Sequence, residues 1–479
     1  MQKTIFVVRI ICCAIPLLTF LSRASAEDLT NALHAFLQQR VEDEKRDAAI
    51  VIGLVDEQGS CVVGWGKLNN GTSREVDGDT LFEVGSITKT FTALLLQGMI
   101  KRGEMKLDDP VARFLPASVR MPSRNDKPIT LLQLVIHTSG LPENPDNLGP
   151  TWANYTTNDL YAFLSRCKLT NDPGTRYEYS NLGASLLGNA IGLRAGTNYD
   201  SLLVDRICRP LNMNSTRCAL TPDLKARATA GHDRSGKASW NENRSPVFYP
   251  QGGLWTTAND MLKYASAYLG LTRTGLAPVF KEAREVHVQS GIPNQNLGWW
   301  VVQTDPLGRR FSFHAGDTAG YSALVGFDEA RKRGVVILCS TSDPDDVDGI
   351  FALLIENEWE SNKRPRPTKI SSSVCDSFVG QYQRLPHSAS APGIVIRRDG
   401  NRLFAKTTGP RSLAIRALLP PIEGELLPES KTTLFGRLSG MPIPFSRDAQ
   451  DKVVGLTVQF GTNAFYYEKI SDQPLNSPE

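Results

Sequence analysis

Residues 82–100 read FEVGSITKTFTALLLQGMI, and the rest of the chain is organised around them. Phe91, Leu94, Leu95 and Met99 recur at steps of three and four, which predicts a helix with an apolar stripe against a core. Ser86 and Lys89 stand three apart at its start, so they share a face and the amine can reach the hydroxyl. The partial positive charge of a helix N-terminus favours an alkoxide on Ser86 and disfavours the ammonium form of Lys89. A serine beside an amine shifted towards its neutral form is an activated nucleophile. The spacing alone is weak, because Ser-x-x-Lys should occur about twice by chance in a chain of this composition. Ser165 and Lys168 in DLYAFLSRCKL repeat it, and they read as a solvated helix face, mid-helix, with no glycine before them.

The 479 residues exceed one average domain and suggest two, one of them large. Residues 1–26 read as a secretory signal: Lys3 and Arg9, an apolar core from Ile10 to Leu21, and a small-residue cleavage site at Ala24-Ser25-Ala26. The apolar run is short against the ~20 residues of a membrane span, so no stable anchor is expected. Bulky Ile11 before Cys12 and Cys13 argues against a lipid there. Cleavage after Ala26 removes Lys3, Arg9 and Arg23 and no acid, taking the formal charge from +3 to 0. A neutral mature chain offers no electrostatic case for nucleic acid. The expected location is periplasmic or secreted. Six cysteines then remain, and Cys208 and Cys218, bracketing RPLNMNSTR, are the expected bridge. No spacing suits a metal, and no cofactor is expected.

Asp28 to Arg46 reads as an amphipathic helix, followed by strands in AAIVIGLVDEQ and SCVVGWGKL with a turn at Gln58-Gly59. From about 107 to 270 the pattern is mainly helical. PITLLQLVIHTSGLP should run as a helix to Gly140 and Pro142, with His137 bonding its terminal carbonyls. NLGASLLGNAIGLRAG and TANDMLKYASAYLG are further helices, the second capped by Thr257 or Asn259. Strand patterns return in LGWWVVQT, RRFSFHA, YSALVGFD and GVVILCS, and a helix is expected in DDVDGIFALLIENEW. Strands at both ends with helices between them predict one sheet built from distant pieces of chain. Residues 27–362 form this unit, 363–372 a linker, and 373–479 a separate all-β module of short alternating runs.

Two later stretches give Ser86 partners. Tyr179-Ser180-Asn181 precedes a helix in DPGTRYEYSNLGASLLG, and His314-Ala315-Gly316 ends a strand in RRFSFHAGDTAGYSALVGFD. With FEVGSITK, HTSGLP and GGLWTTANDM, the set over about residues 30–360 resembles the penicillin-recognising serine hydrolases. The branch is that of class C β-lactamases, which also holds D-alanyl-D-alanine peptidases and esterases. The C-terminal part resembles a lipocalin-like module.

The resemblance implies an α/β fold: an antiparallel sheet flanked by helices, an all-helical region, and the site in the cleft between them. It implies that Ser86 forms an acyl-enzyme, with Lys89 and Tyr179 transferring protons. Asn181 would orient Lys89 and bind the substrate amide. The N–H groups of Ser86 and Asp317 would form an oxyanion hole beside Gly316. The implied substrate is a β-lactam or a D-alanyl peptide; small acyl esters, or binding without turnover, are the alternatives. Oligomeric state stays open. Two positions depart from the pattern. Thr88 stands where Ser or Ala is usual, and His314 replaces the lysine of Lys-Thr-Gly. A histidine of ordinary pKa ~6.5 implies weaker carboxylate recognition and stronger pH dependence.

Overall fold

The computed structural model describes residues 49–149, 152–233, 236–238, 244–285, 287–288, 295–304, 310–342, 368–385, 393–400, 402–408, 424–436, 442–460 and 463–473, with 30, 33, 34, 37, 38 and 347 besides. Residues 1–26 and nearly all of 343–367 lie outside them, and with them the expected signal, most of the helix in DDVDGIFALLIENEW and residues 363–367 of the linker. Residues 30, 33, 34, 37 and 38 are helical, as expected for Asp28 to Arg46.

One antiparallel sheet organises the first unit. Its strands are β1 (Ile50–Asp56), β2 (Gly59–Trp65), β5 (His287–Val288), β6 (Gln295–Asn296), β7 (Val301–Thr304), β8 (Arg310–Asp317), β9 (Ser322–Asp328) and β10 (Arg333–Cys339), in the order β2-β1-β10-β9-β8-β7-β6-β5. A separate two-stranded pair joins β3 (Phe82–Glu83) to β4 (Trp255–Thr256). β1 pairs with β10 in the register Ile50↔Cys339 to Val55↔Gly334, so chain segments far apart in sequence share the centre of the sheet. β1, β9 and β10 read as nearly continuous apolar runs because both faces are covered. Val51, Val336, Leu338 and Val325 enter the larger core on the helical side. Ile50, Ile52, Ile337 and Leu324 alternate with them into a smaller core with Leu33, Leu37 and Val347. Leu262 packs onto β1 where a Cβ at Gly53 would come within 3.1 Å of it.

Helix α1 (Thr88–Lys101) is buried all round, every residue from Thr88 to Met99 included, so the apolar stripe understates its burial. Its hydroxyls are satisfied internally: Thr90 Oγ1 donates to Ile87 O at 2.8 Å and Thr92 Oγ1 to Pro250 O at 2.8 Å. Helix α2 (Leu131–Val135) starts in a capping box made by Thr130 and Gln133. It ends well before Gly140, because His137 adopts φ +54° and turns the chain out of the helix. Helix α3 (Thr157–Arg166) stops before Lys168, so Ser165 and Lys168 do not share a helix face. Helix α4 (Asn181–Ala195) is capped by Ser180 and closed by Gly196 at φ +69°. Helix α5 (Ala258–Leu269) is capped by Thr257.

Cys208 and Cys218 are free, buried thiols, not a bridge. Each is fixed by its own backbone contacts: Met213 N–H donates to Cys208 O at 2.8 Å, and Cys218 N–H to Asp200 Oδ1 at 2.6 Å. Both pack in the larger core as small apolar groups.

The C-terminal unit is a closed antiparallel barrel of eight strands, from Gly380–Arg384 to Asn463–Ser471, with first and last strands paired. Ile394, Ile396, Leu403, Leu434, Ile443 and Leu456 fill it. Ile394 and Ile396, and Leu403 and Ala405, are alternate residues of their strands, which is why the sequence alternates there.

Candidate active site

Ser86 lies in a single 3-10 turn, Gly85–Ile87, just ahead of α1. Gly85 has φ +49°, and a Cβ there would come within 2.8 Å of Asp317 N. A Cβ on Gly316 would lie 2.0 Å from Val84 O and 2.9 Å from Ser86 N. Two glycines therefore let the end of β8 lie directly on the serine turn, which brings the Ser86 and Asp317 amides to one place. Thr88 explains its own departure from pattern: its hydroxyl donates to Gly85 O at 2.6 Å and accepts from Leu254 N–H at 3.1 Å. It ties the serine turn to the segment leading into β4.

Lys89 is fully buried and touches three oxygens: Ser86 Oγ at 2.9 Å, Asn181 Oδ1 at 2.8 Å and Gln251 O at 2.7 Å. Tyr179 Oη stands 2.8 Å from the same Ser86 Oγ. Burial pushes the Lys89 pKa well below that of an ordinary lysine, helped by the Arg244 charge and opposed by Glu143. Burial also pushes Tyr179 up, against the Ser86 hydrogen bond, so the phenol keeps its proton at neutral pH. A neutral amine has two N–H donors and one lone pair. The Asn181 and Gln251 oxygens can only accept, so they take both N–H groups. In that neutral form the lone pair faces the Ser86 hydroxyl; in the ammonium form Nζ donates to all three oxygens, Ser86 Oγ included.

The Tyr179 loop is stitched to the HTSGLP turn. Glu178 N–H donates to His137 O at 2.8 Å, Gly174 N–H to Thr138 O at 2.7 Å and Leu182 N–H to Glu143 O at 2.9 Å. His137 does not cap α2; its Nδ1 accepts from Ser180 N–H at 3.1 Å, which puts the ring proton on Nε2. Its ring lies 4.6 Å from that of Tyr179 and 5.5 Å from Trp299. Burial and Lys89 hold it neutral, as this acceptor role requires.

His314 is buried on β8, its ring edge-on to Trp300 at 6.4 Å. Its Nδ1–H donates to Ala315 O at 2.7 Å. Burial, then the Lys89 charge, lower its pKa to about 3. It is neutral across the physiological range and does not titrate there, contrary to the pH dependence expected from an ordinary histidine.

The cavity over Ser86 is lined by Gly85, Trp152, Asn181, Arg244, Gln251, Gly252, Asp317 and Ala319. The structure thus gathers Ser86, Lys89, Tyr179, Asn181, Gly316 and Asp317, whereas His314 is buried and does not line this cavity. The Gln251 carbonyl, Trp152 and Arg244 escape sequence reading. A backbone carbonyl leaves no residue signature, and one arginine in a polar loop resembles any other. Among the described residues no cluster of His, Cys, Asp or Glu could hold a metal ion.

A central antiparallel sheet, a helical region and a Ser–Lys–Tyr–Asn network in the cleft define a serine-hydrolase-like fold. Residues 33–356 match the Beta-lactamase family model, and the chain belongs to that family. It is 31% identical over 208 residues to the D-alanyl-D-alanine-carboxypeptidase/endopeptidase AmpH of Escherichia coli, covering 43% of this chain and 53% of that protein. That match spans only about half of the relative's length. A beta-lactamase of the same organism is 25% identical over 355 residues, 67% of this chain and 91% of its own. Among solved structures, a class C beta-lactamase superposes with a TM-score of 0.63 at 22% identity, covering 71% of this chain and 99% of that one. A beta-lactamase/D-alanine carboxypeptidase from Pseudomonas syringae gives 0.60 at 21% identity, with 69% and 99% covered.

Proposed function

We propose that the protein is an exported serine hydrolase that forms an acyl-enzyme on Ser86 and acts on β-lactams or on D-alanyl amides of cell-wall peptides. The observation that carries this reading is the meeting of Lys89 and Tyr179 at one hydroxyl: Ser86 Oγ lies 2.9 Å from Lys89 Nζ and 2.8 Å from Tyr179 Oη. Lys89 takes the Ser86 proton as Oγ attacks the substrate carbonyl carbon. The carbonyl oxygen becomes an oxyanion held by the Ser86 and Asp317 amides, a term of ~3–4 kcal/mol per donor. The C–N bond then breaks, Tyr179 O–H gives its proton to the departing nitrogen, and the proton that Lys89 took from Ser86 restores the phenol. Water repeats the sequence to release the acyl group. The names of the relatives support both substrate classes, and the chemistry is shared. They differ in the rate of deacylation.

The neutrality of His314 favours a second reading, hydrolysis of small acyl esters, because the wall of the site contributed by β8 offers no fixed cation for a carboxylate. Residues 1–26 act in this reading as a cleaved signal, and the barrel is a lipocalin-like appendage to the hydrolase domain.

The test incubates the mature protein with a chromogenic cephalosporin and follows absorbance and intact mass together. Sustained colour with little adduct means a working β-lactamase. A stoichiometric adduct without turnover means a penicillin-binding peptidase, to be assayed on D-alanyl-D-alanine peptides. Neither signal, with Ser86-dependent cleavage of 4-nitrophenyl acetate, means an esterase. Ser86→Ala is expected to abolish whichever activity is found and leave Tm near wild type; full activity in the variant would refute the mechanism.

A further inference from the structure

The site has a permanent cation that the resemblance does not assign. Arg244 lines the cavity with Ser86, and its side chain is 17% exposed. Its Nη2 donates to Glu83 Oε1 at 2.9 Å, the carboxyl of β3 two residues before Gly85. Its guanidinium lies 6.0 Å from the Trp152 ring, on another wall of the same cavity. Nε is buried without a hydrogen-bond partner. A Cβ on Gly252 would stand 3.6 Å from Arg244 Nη1 and 3.6 Å from Gly85 C, so this residue lies between the guanidinium and the serine turn. A Cβ on Gly253 would stand 3.5 Å from Arg244 Cδ. Gly252 and Gly253 thus line the arginine along its length, at ordinary contact distance.

A guanidinium with one edge fixed by a carboxylate and another beside an open cavity is an anion site, since Arg presents five donors in a rigid planar fork. The other charged groups around the cavity do not replace it. Lys89 is buried and occupied by three oxygens, and His314 is neutral. The Asp317 carboxylate is exposed at the rim, where water screens it. We propose that Arg244, held by Glu83 and flanked by Trp152 and Gly252, binds a carboxylate of the substrate. It thereby supplies the cation that His314 does not, and makes the site selective for substrates that carry a carboxylate. This rests on the hydrolase reading for its substrate and on Arg244 alone for its selectivity.

Two ester pairs test it. Mono-4-nitrophenyl glutarate and its methyl ester differ by a carboxylate on the acyl half. 4-Acetoxybenzoate and its methyl ester differ by one on the leaving half. The quantity read is the ratio of kcat/KM for the acid over that for its methyl ester. It is measured in wild type, in Arg244→Lys, and in the Glu83→Gln/Arg244→Gln double variant, which leaves no unpaired buried carboxylate. A charge-assisted hydrogen bond predicts a ratio that falls roughly 10- to 100-fold in the double variant, mainly through KM, and is partly kept in Arg244→Lys. A fall confined to one pair identifies the half of the substrate that Arg244 holds. Unchanged ratios in both pairs would overturn the proposal, whatever happens to the absolute rates. If wild type cleaves none of the four esters through Ser86, the hydrolase reading for these substrates fails separately. Calorimetry with glutarate then decides: binding lost in the double variant supports the anion site, and equal or absent binding in both proteins rejects it.

Discussion

At the residue scale, the proposed chemistry turns on one amine whose burial favours its uncharged form. Lys89 lies below the usual lysine range, so kcat/KM should rise with pH through its lowered pKa as the lone pair becomes free. Lys89→Met should remove that acid limb and cost roughly 10²–10⁴-fold in kcat. His314→Gln should not move the limb, because His314 is already neutral; a shift would assign the titration to the histidine instead. The same histidine bears on stability. Its folded pKa of about 3 lies below the ordinary 6.5, so between those values the unfolded chain binds a proton that the native state refuses. Stability therefore rises with pH across this window and is flat above it with respect to this group. The urea midpoint should fall from pH 7 to pH 4, and His314→Gln should lose less over that interval. An identical loss in both proteins would remove His314 from the acid lability. The Ser86–Lys89 pair was legible in the sequence from its spacing and setting. The shift of His314 was not, because it comes from burial beside Lys89.

At the scale of elements, the site is the junction of a strand end and a helix start. β8 can reach the serine turn only because neither Gly85 nor Gly316 carries a Cβ. Gly316→Ala places a methyl 2.0 Å from Val84 O, and the strand end must move away from Ser86. Displacements of about an ångström at a reacting centre cost ~100-fold, so kcat/KM should fall by about that much. Gly275→Ala, with nothing within 4 Å of its Cβ, is the control and should behave as wild type. Equal effects of the two substitutions would mean that the junction is not what positions the site. His137 shows the limit of helix-stop rules. The pattern PITLLQLVIHTSGLP correctly signals a helix and its end, but the left-handed residue is His137. Its ring is held by Tyr179, Trp299 and Ser180, which lie 42 or more residues away in sequence.

At the scale of the whole molecule, the chain builds separate cores. The sheet-and-helix unit buries two clusters on the two faces of its sheet, and the barrel encloses its own. Among the described residues, none that lines the cavity belongs to the barrel. Independent cores unfold as independent cooperative units, so calorimetry of the full chain should resolve two transitions. An active-site covalent adduct should shift only the transition of the sheet-and-helix unit. A single transition that moves as one on acylation would mean that the two units fold as one.

The sequence by itself determined the elements and the motif residues. Periodicity of 3.6 or 2 reports burial, capping residues mark helix starts, and Ser86, Lys89, Tyr179 and Asn181 are rare enough in combination to be read in order. It also indicated that strands from both ends share one sheet and that an all-β module follows. Tertiary structure decided what depends on contacts between distant segments. It left Cys208 and Cys218 unbridged, turned His137 from a helix cap into the support of the Tyr179 loop, and held His314 neutral. It brought the Gln251 carbonyl to Lys89 and Arg244 to the cavity wall. Each of these is set by burial and by neighbours that folding brings together, and a linear pattern records neither.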